Sequence, residues 1–174
     1  SLPAVLGDEG FETSYIDAYE LNWAPRKQPA RMLGTVKFQT LLDRSAAPDV
    51  PDGSDPYDEK LAVERWAFGE IAKRVVDAAS QGRKAMVFFQ SALGQYPWPA
   101  RAADANKSEH EKLRIVAGDL ERLMSELLQQ LDGACLAEEV IVVVTGDHGF
   151  RLRVEFSSVG LRVAFTETAF KVPL

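Results

Sequence analysis

One cysteine among 174 residues excludes an internal disulfide and leaves the redox compartment unread. Cys135 follows Ala134 and precedes Leu136, with no basic neighbour to lower its thiol pKa. It reads as a small buried hydrophobe at a helix end, not as a reactive thiol. Histidine is almost as scarce, at two residues, His110 and His148. Long apolar runs are missing: nothing approaches the roughly 20 residues that cross a bilayer, and the first residues lack the charged, apolar, small-residue order of a signal peptide. No transmembrane segment is expected in this piece. Clustered basic charge is also absent. The 26 acidic residues outnumber 20 basic ones for a net charge of −6, and the Lys and Arg are scattered, which argues against a nucleic-acid partner. There is no internal repeat and no low-complexity tract. A glycine-rich phosphate loop after a strand is lacking too, so an unrelated, nucleotide-binding doubly wound domain is the weakest reading.

What is present is ordinary globular material, 46% hydrophobic and 26% charged, enough for one domain with its own core over residues 1–174. Leu2 to Leu6 before Gly7 and Gly10 reads as a short helix, and Glu12 to Asp17 as a strand. Arg26 to Leu33 reads as a helix stopped at Gly34, followed by a strand from Val36 to Leu42. The Pro, Asp, Ser and Gly of Ser45 to Pro56 make a surface loop. Leu61, Phe68, Ile71, Val75 and Ala79 mark one face of a long helix over Tyr57 to Ala79. Ala85 to Phe89 is a continuous apolar run, the pattern of a strand covered on both faces. The clearest helix carries Leu113, Val116, Ala117, Leu120, Leu123, Met124, Leu127, Leu128 and Leu131, and Gly133 caps it. Val140 to Thr145 then reads as a second buried strand. Beyond it, Leu152-Val154-Phe156 and Leu161-Val163-Phe165 alternate, as either an irregular hairpin or a loop with strand ends. Helices alternating with strands through short joints predict a three-layer α/β/α sandwich with a mostly parallel sheet.

In such a sheet the chemistry sits beyond the carboxyl ends of the strands. The most informative end is Ile141-Val142-Val143-Val144-Thr145-Gly146-Asp147-His148-Gly149. The glycines allow a sharp turn through which a carboxylate and an imidazole converge; on a regular strand they would face opposite ways. One oxygen and one nitrogen donor suit a divalent metal, although two ligands are not a full site. This argument requires Val140 to Thr145 to be an interior parallel strand. The competing reading is a local turn, with Asp147 bonded to backbone N–H groups and His148 in solvent.

A long amphipathic helix, a short acidic loop, a β-branched strand and then Thr145-Gly146-Asp147-His148-Gly149 closely resembles the metal corner of sulfatases, lipoteichoic acid synthases and related members of the alkaline-phosphatase superfamily. Gly10-Phe11-Glu12-Thr13-Ser14-Tyr15-Ile16 resembles their Gly-aromatic-x-Thr strand, and Asp55 to Leu61 resembles the acidic loop that opens a helix. Met86 to Phe89 with Gly94-Gln95-Tyr96-Pro97-Trp98 resembles the strand and loop where a His often precedes an aromatic-Pro-aromatic sequence. Phe170 to Leu174 resembles the lead into a further strand. The likeness covers nearly the whole chain in order, with Gly-Asp-His-Gly its one sharply specific element.

The resemblance implies metal-dependent hydrolysis or transfer on a sulfate or phosphate ester. Asp147 and His148 would be metal ligands, for Mn, Zn, Ca or Mg; Gln95 would stand where a substrate-contacting His is common, and Arg151 would contact the anion. Arg153 shares with Arg151 the competing reading of a solvated strand end. The family's nucleophile lies before the region matched by Gly10 to Ile16, so the chain is read as a partial domain without it. Cys135 lacks the sulfatase nucleophile's context, and Gln95 cannot act as an acid near neutral pH. A non-catalytic binding or scaffold module of the same fold is the alternative. His110, within Ser108-Glu109-His110-Glu111, reads as an exposed first-turn residue. Trp23, Trp66 and Trp98 read as packing, with Trp98 the one able to line a pocket. A sheet without its first strand could pair with another copy, giving a homo-oligomer. The family resemblance implies an extracytoplasmic or membrane-associated location.

Overall fold

The computed structural model describes residues 1–19, 32–95, 97–145, 155–157 and 160–162. They fall into two compact units, Ser1–Glu138 and Glu139–Leu174. In the first, helix α1 (Leu2–Asp8) takes Pro3 in its first turn, where the missing N–H costs nothing. Gly10 at φ 82° then turns the chain, a conformation open to glycine without a Cβ clash. Strand β1 (Phe11–Asp17) follows at once and is buried from Thr13 onward.

After β1 the structure departs from the expected pattern. Of the helix expected over Arg26 to Leu33, the portion up to residue 31 lies outside the described residues. Met32–Val36 forms a single π-helical turn with Gly34 inside it, not after it. Lys37 adopts φ 69°, which breaks the extended chain. The strand expected from Val36 therefore shortens to β2 (Thr40–Leu42). The same break lets Phe38 turn inward, where its ring lies 5.5 Å from that of Tyr15.

Helix α2 (Pro56–Ser80) starts at Asp55, whose carboxylate accepts the Tyr57 N–H at 2.8 Å. It leads to β3 (Lys84–Gln90). Strands β2, β1 and β3 lie in that order and all pair in parallel, with Tyr15 opposite both Leu41 and Phe88. Because side chains alternate along a strand, Ser14 and Ile16 share one face with Val87 and Phe89. That face meets α2: Phe68 packs edge-on against Phe89 at 5.3 Å, and Arg74 donates to the Ser14 hydroxyl. On the other face Tyr15 stacks on Phe88 at 5.4 Å, beside Phe38, Met32, Val36 and Met86. A parallel sheet flanked by helices is the α/β sandwich expected from the sequence. One detail differs: β3 is not covered on both faces, since Phe88 remains 48% exposed.

Helix α3 (Glu109–Gly133) packs on α2. Its start is a capping box in which Ser108 and Glu111 each satisfy the other's backbone N–H, and His110 is exposed in the first turn, as expected. Its buried stripe is Val116, Asp119, Leu123, Leu127 and Leu131, while Leu128 from the expected stripe is 48% exposed. The helix runs through Gly133, and Cys135 takes the left-handed position at φ 59°. Its N–H bonds to Asp132 O and that of Leu136 to Leu131 O, a closure that uses two otherwise orphaned carbonyls. The turn leaves Cys135 exposed, which corrects the reading of a buried thiol.

In the second unit the strand expected over Val140 to Thr145 is not formed. Ile141 is 91% and Val143 75% exposed. β-branched residues favour an extended chain, but that preference by itself does not make a strand, which exists only where the backbone joins a ladder. The tail resolves toward a hairpin: β4 (Glu155–Ser157) and β5 (Gly160–Arg162) pair antiparallel, Phe156 opposite Leu161.

Candidate functional site at the carboxyl edge of the sheet

Because β2, β1 and β3 run parallel, their carboxyl ends and the segments after them gather along one edge. Backbone bonds tie these segments together: Ala18 N–H donates to Gln90 O, and Arg44 N–H to Tyr19 O. The Tyr19 hydroxyl lies 3.0 Å from Ala92 O and 3.1 Å from Gln95 Oε1, its one proton shared between two acceptors. Gln95 is thereby held at this edge, half-buried.

Two buried carboxylates lie here that the sequence reading missed. Asp17 ends β1 and is buried; it accepts the Tyr19 N–H at 2.9 Å, and the Tyr15 hydroxyl lies 3.1 Å from it and 2.8 Å from Gln90 Oε1. Glu64 reaches in from α2 and is fully buried. A single oxygen, Oε1, accepts the Ser91 hydroxyl and the Leu93 N–H, both at 2.9 Å, and the Ala92 N–H. Its other oxygen, Oε2, is buried without a hydrogen bond. Burial raises the Glu64 pKa above the ordinary carboxylate value, and the Asp17 charge adds to this, against the lowering effect of the three donors. A signal for Glu64 was in the sequence: it falls between Leu61 and Phe68 on the apolar face of α2, where a carboxylate is costly unless hydrogen-bonded.

A cleft of about 320 Å³ opens beside the loop after β2, with Arg44, Ser45, Asp49 and Glu59 on its walls and Val63 among its lining. Among the described residues Arg44 makes no ion pair within 4.0 Å, in contrast to Arg74, Arg83, Arg101 and Arg122. Nothing in the sequence distinguished Arg44, since its position depends on where β2 ends.

Asp147, His148 and Arg151, the other expected site residues, lie outside the described residues, as do Trp23 and the segment Phe170 to Leu174. Since Val140 to Thr145 is not a strand, strand-end geometry does not support convergence of Asp147 and His148, and their reading as ligands rests on residue type and on the resemblance. Among the described residues no group of three or more His, Cys, Asp or Glu side chains is arranged to hold a metal, and no helix is long and apolar enough to cross a membrane.

No protein-family model and no curated protein matches the chain. Solved structures do. The chain is similar to the lipoteichoic acid synthase LtaP from Listeria monocytogenes, at 14% identity and a TM-score of 0.69 over 99% of this chain and 44% of that one. It is also similar to a protein in the alkaline phosphatase superfamily from Vibrio parahaemolyticus, at 15% identity and a TM-score of 0.57 over 99% of this chain and 39% of that one. The chain thus spans less than half the length of either. At such identities the likeness is one of fold, and in fold the chain is a sulfatase and alkaline-phosphatase-like α/β protein.

Proposed function

We propose that this chain is part of a metal-dependent hydrolase or transferase acting on sulfuric or phosphoric esters, with its nucleophile supplied from outside the chain. The observation that carries the reading is the fold likeness to LtaP across 99% of the chain, joined to the Gly146-Asp147-His148-Gly149 motif. In this reading Asp147 and His148 hold a divalent cation, of which Mn, Zn, Ca and Mg all suit a carboxylate and imidazole pair to differing degrees. When bound, such a cation polarises the ester's anionic oxygens. Gln95 contributes hydrogen bonds to the anionic group but no proton, since a primary amide does not titrate in this range. Arg151 supplies a fixed positive charge to the same group.

Calorimetric titration of the chain with manganese or zinc tests this. Weak binding by the wild type, lost in Asp147→Ala, is expected, with no ester turnover by the isolated chain. Equal heats from the two proteins would overturn the ligand assignment.

Gln95 gives one specific ground for a second reading, a non-catalytic binding module on the same fold. Its amide accepts from Tyr19 at 3.1 Å, and by the resemblance it stands where a titrating His is common. That reading expects binding of inorganic sulfate or phosphate to survive Asp147→Ala unchanged.

A further inference from the structure

Glu64 presents a chemistry that the proposed function leaves unused. It stands on α2, yet its hydrogen bonds all go to the loop after β3. The Ser91 hydroxyl and the Ala92 and Leu93 amides converge on Oε1, while the Gly94 N–H bonds back to Ser91 Oγ. Three donors directed at one oxygen form a small anion-binding nest, and here the chain's own carboxyl fills it. Two residues on, the same loop presents Gln95, which Tyr19 holds by its side chain. The loop is therefore clamped from both sides, by Glu64 from the helix layer and by Tyr19 from the end of β1.

We infer that Glu64 is the positioning residue for Gln95: it sets the course of Ser91–Leu93, and through them where the Gln95 amide is presented. The inference rests on the proposed function only in taking Gln95 as a substrate contact. Loss of a proton from Glu64 would place a second negative charge beside Asp17 at a fully buried position. Asp17, from β1, is the charged group that faces Glu64 among the described residues; the loop after β3 offers it the Ser91 hydroxyl and two amides, none of which carries charge. With Oε1 already saturated, that charge has no further donor at Oε2. Ionisation strengthens the three bonds converging on Oε1 while leaving bare charge at Oε2, so the tension of the clamp, and with it the placement of Gln95, follows the protonation of Glu64.

The test is an NMR pH titration of the chain without metal or ester, following the Glu64 carboxyl carbon, the Ala92 and Leu93 amides and the Gln95 side-chain amide. All four are expected to move with one shared midpoint above the ordinary Glu value of 4.5. Glu64→Gln, which keeps an acceptor for the nest without a titrating proton, is expected to abolish that step and hold Gln95 at its acid-form position. Glu64→Leu, which removes the acceptor, is expected to displace the Gln95 signal at every pH. The inference is overturned if Gln95 stays still while Glu64 titrates, if its pH step survives in Glu64→Gln, or if the Leu variant leaves it in place. Should one variant fail to fold, the wild-type titration alone still decides. Manganese plays no part in this measurement, so a failure here concerns Glu64, whereas failure of the functional reading appears in the metal titration.

Discussion

Carboxylates occupy two positions where the helical period would place an apolar side chain. Asp119 lies on the buried stripe of α3 between Val116 and Leu123 and accepts the Tyr57 hydroxyl at 2.6 Å. Arg101 covers the Tyr57 ring, its guanidinium 4.4 Å from the ring centre, and pairs with Asp58 at 2.9 Å. Burial, with the Asp119 bond, raises the pKa of Tyr57, so the phenol stays a donor across the working range. Tyr57→Phe keeps the ring and deletes a hydrogen bond to a charged group; a loss of about 2 kcal/mol is expected in urea unfolding. Glu64 makes a different prediction, of sign. Its pKa is raised in the folded chain, so the folded state holds the proton more tightly than the unfolded one. Its contribution is complete below the unfolded value and is lost as pH rises through the folded value. Wild-type urea midpoints should therefore fall on that rise, and the Glu64→Gln midpoints should lack this step. Glu64 and Asp119 both fall among the apolar positions of their helices, although the sequence reading singled out neither. Their partners were not legible there, because Ser91 lies 27 positions from Glu64 and Asp119 lies 62 from Tyr57.

Among the elements, the two long helices follow directly from sequence period and caps, and the short strand β2 does not. Helix α3 separates the contributions of cap and core. Ser108→Ala removes the hydroxyl that accepts the Glu111 N–H, and about 1 kcal/mol of stability is expected to go with it. Leu123→Ala empties a fully buried position, for which a loss of about 3 kcal/mol is expected, with the cavity term adding to the transfer term. Denaturant unfolding of both variants checks the order; a cap loss as large as the core loss would contradict it. The π-helical turn at Met32–Val36 escaped the pattern because a left-handed Lys37 is not a propensity signal, whereas the inward turn of Phe38 onto Tyr15 is a tertiary gain that outweighs local preference.

For the molecule as a whole, the run Ile141 to Val144 makes the sharpest contrast between pattern and structure. Four β-branched residues in sequence read as a buried strand, yet they stand largely in solvent. Val143→Lys is accordingly expected to change the unfolding free energy by no more than about 0.5 kcal/mol, and to lower self-association by breaking an exposed apolar segment. A cost of several kcal/mol would show that the segment is buried after all. The amino-acid sequence by itself determined the α/β class, the long helices with their starts, the strands β1 and β3 and the Gly-Asp-His-Gly motif, since each follows from local period, capping or residue type. Only the tertiary structure decided that β2 is short, that the segments after β1, β2 and β3 lock together, and that Glu64 clamps the loop bearing Gln95. Those outcomes depend on contacts between residues far apart in the chain, and the burial that raises the pKa of Glu64 exists only once those contacts form.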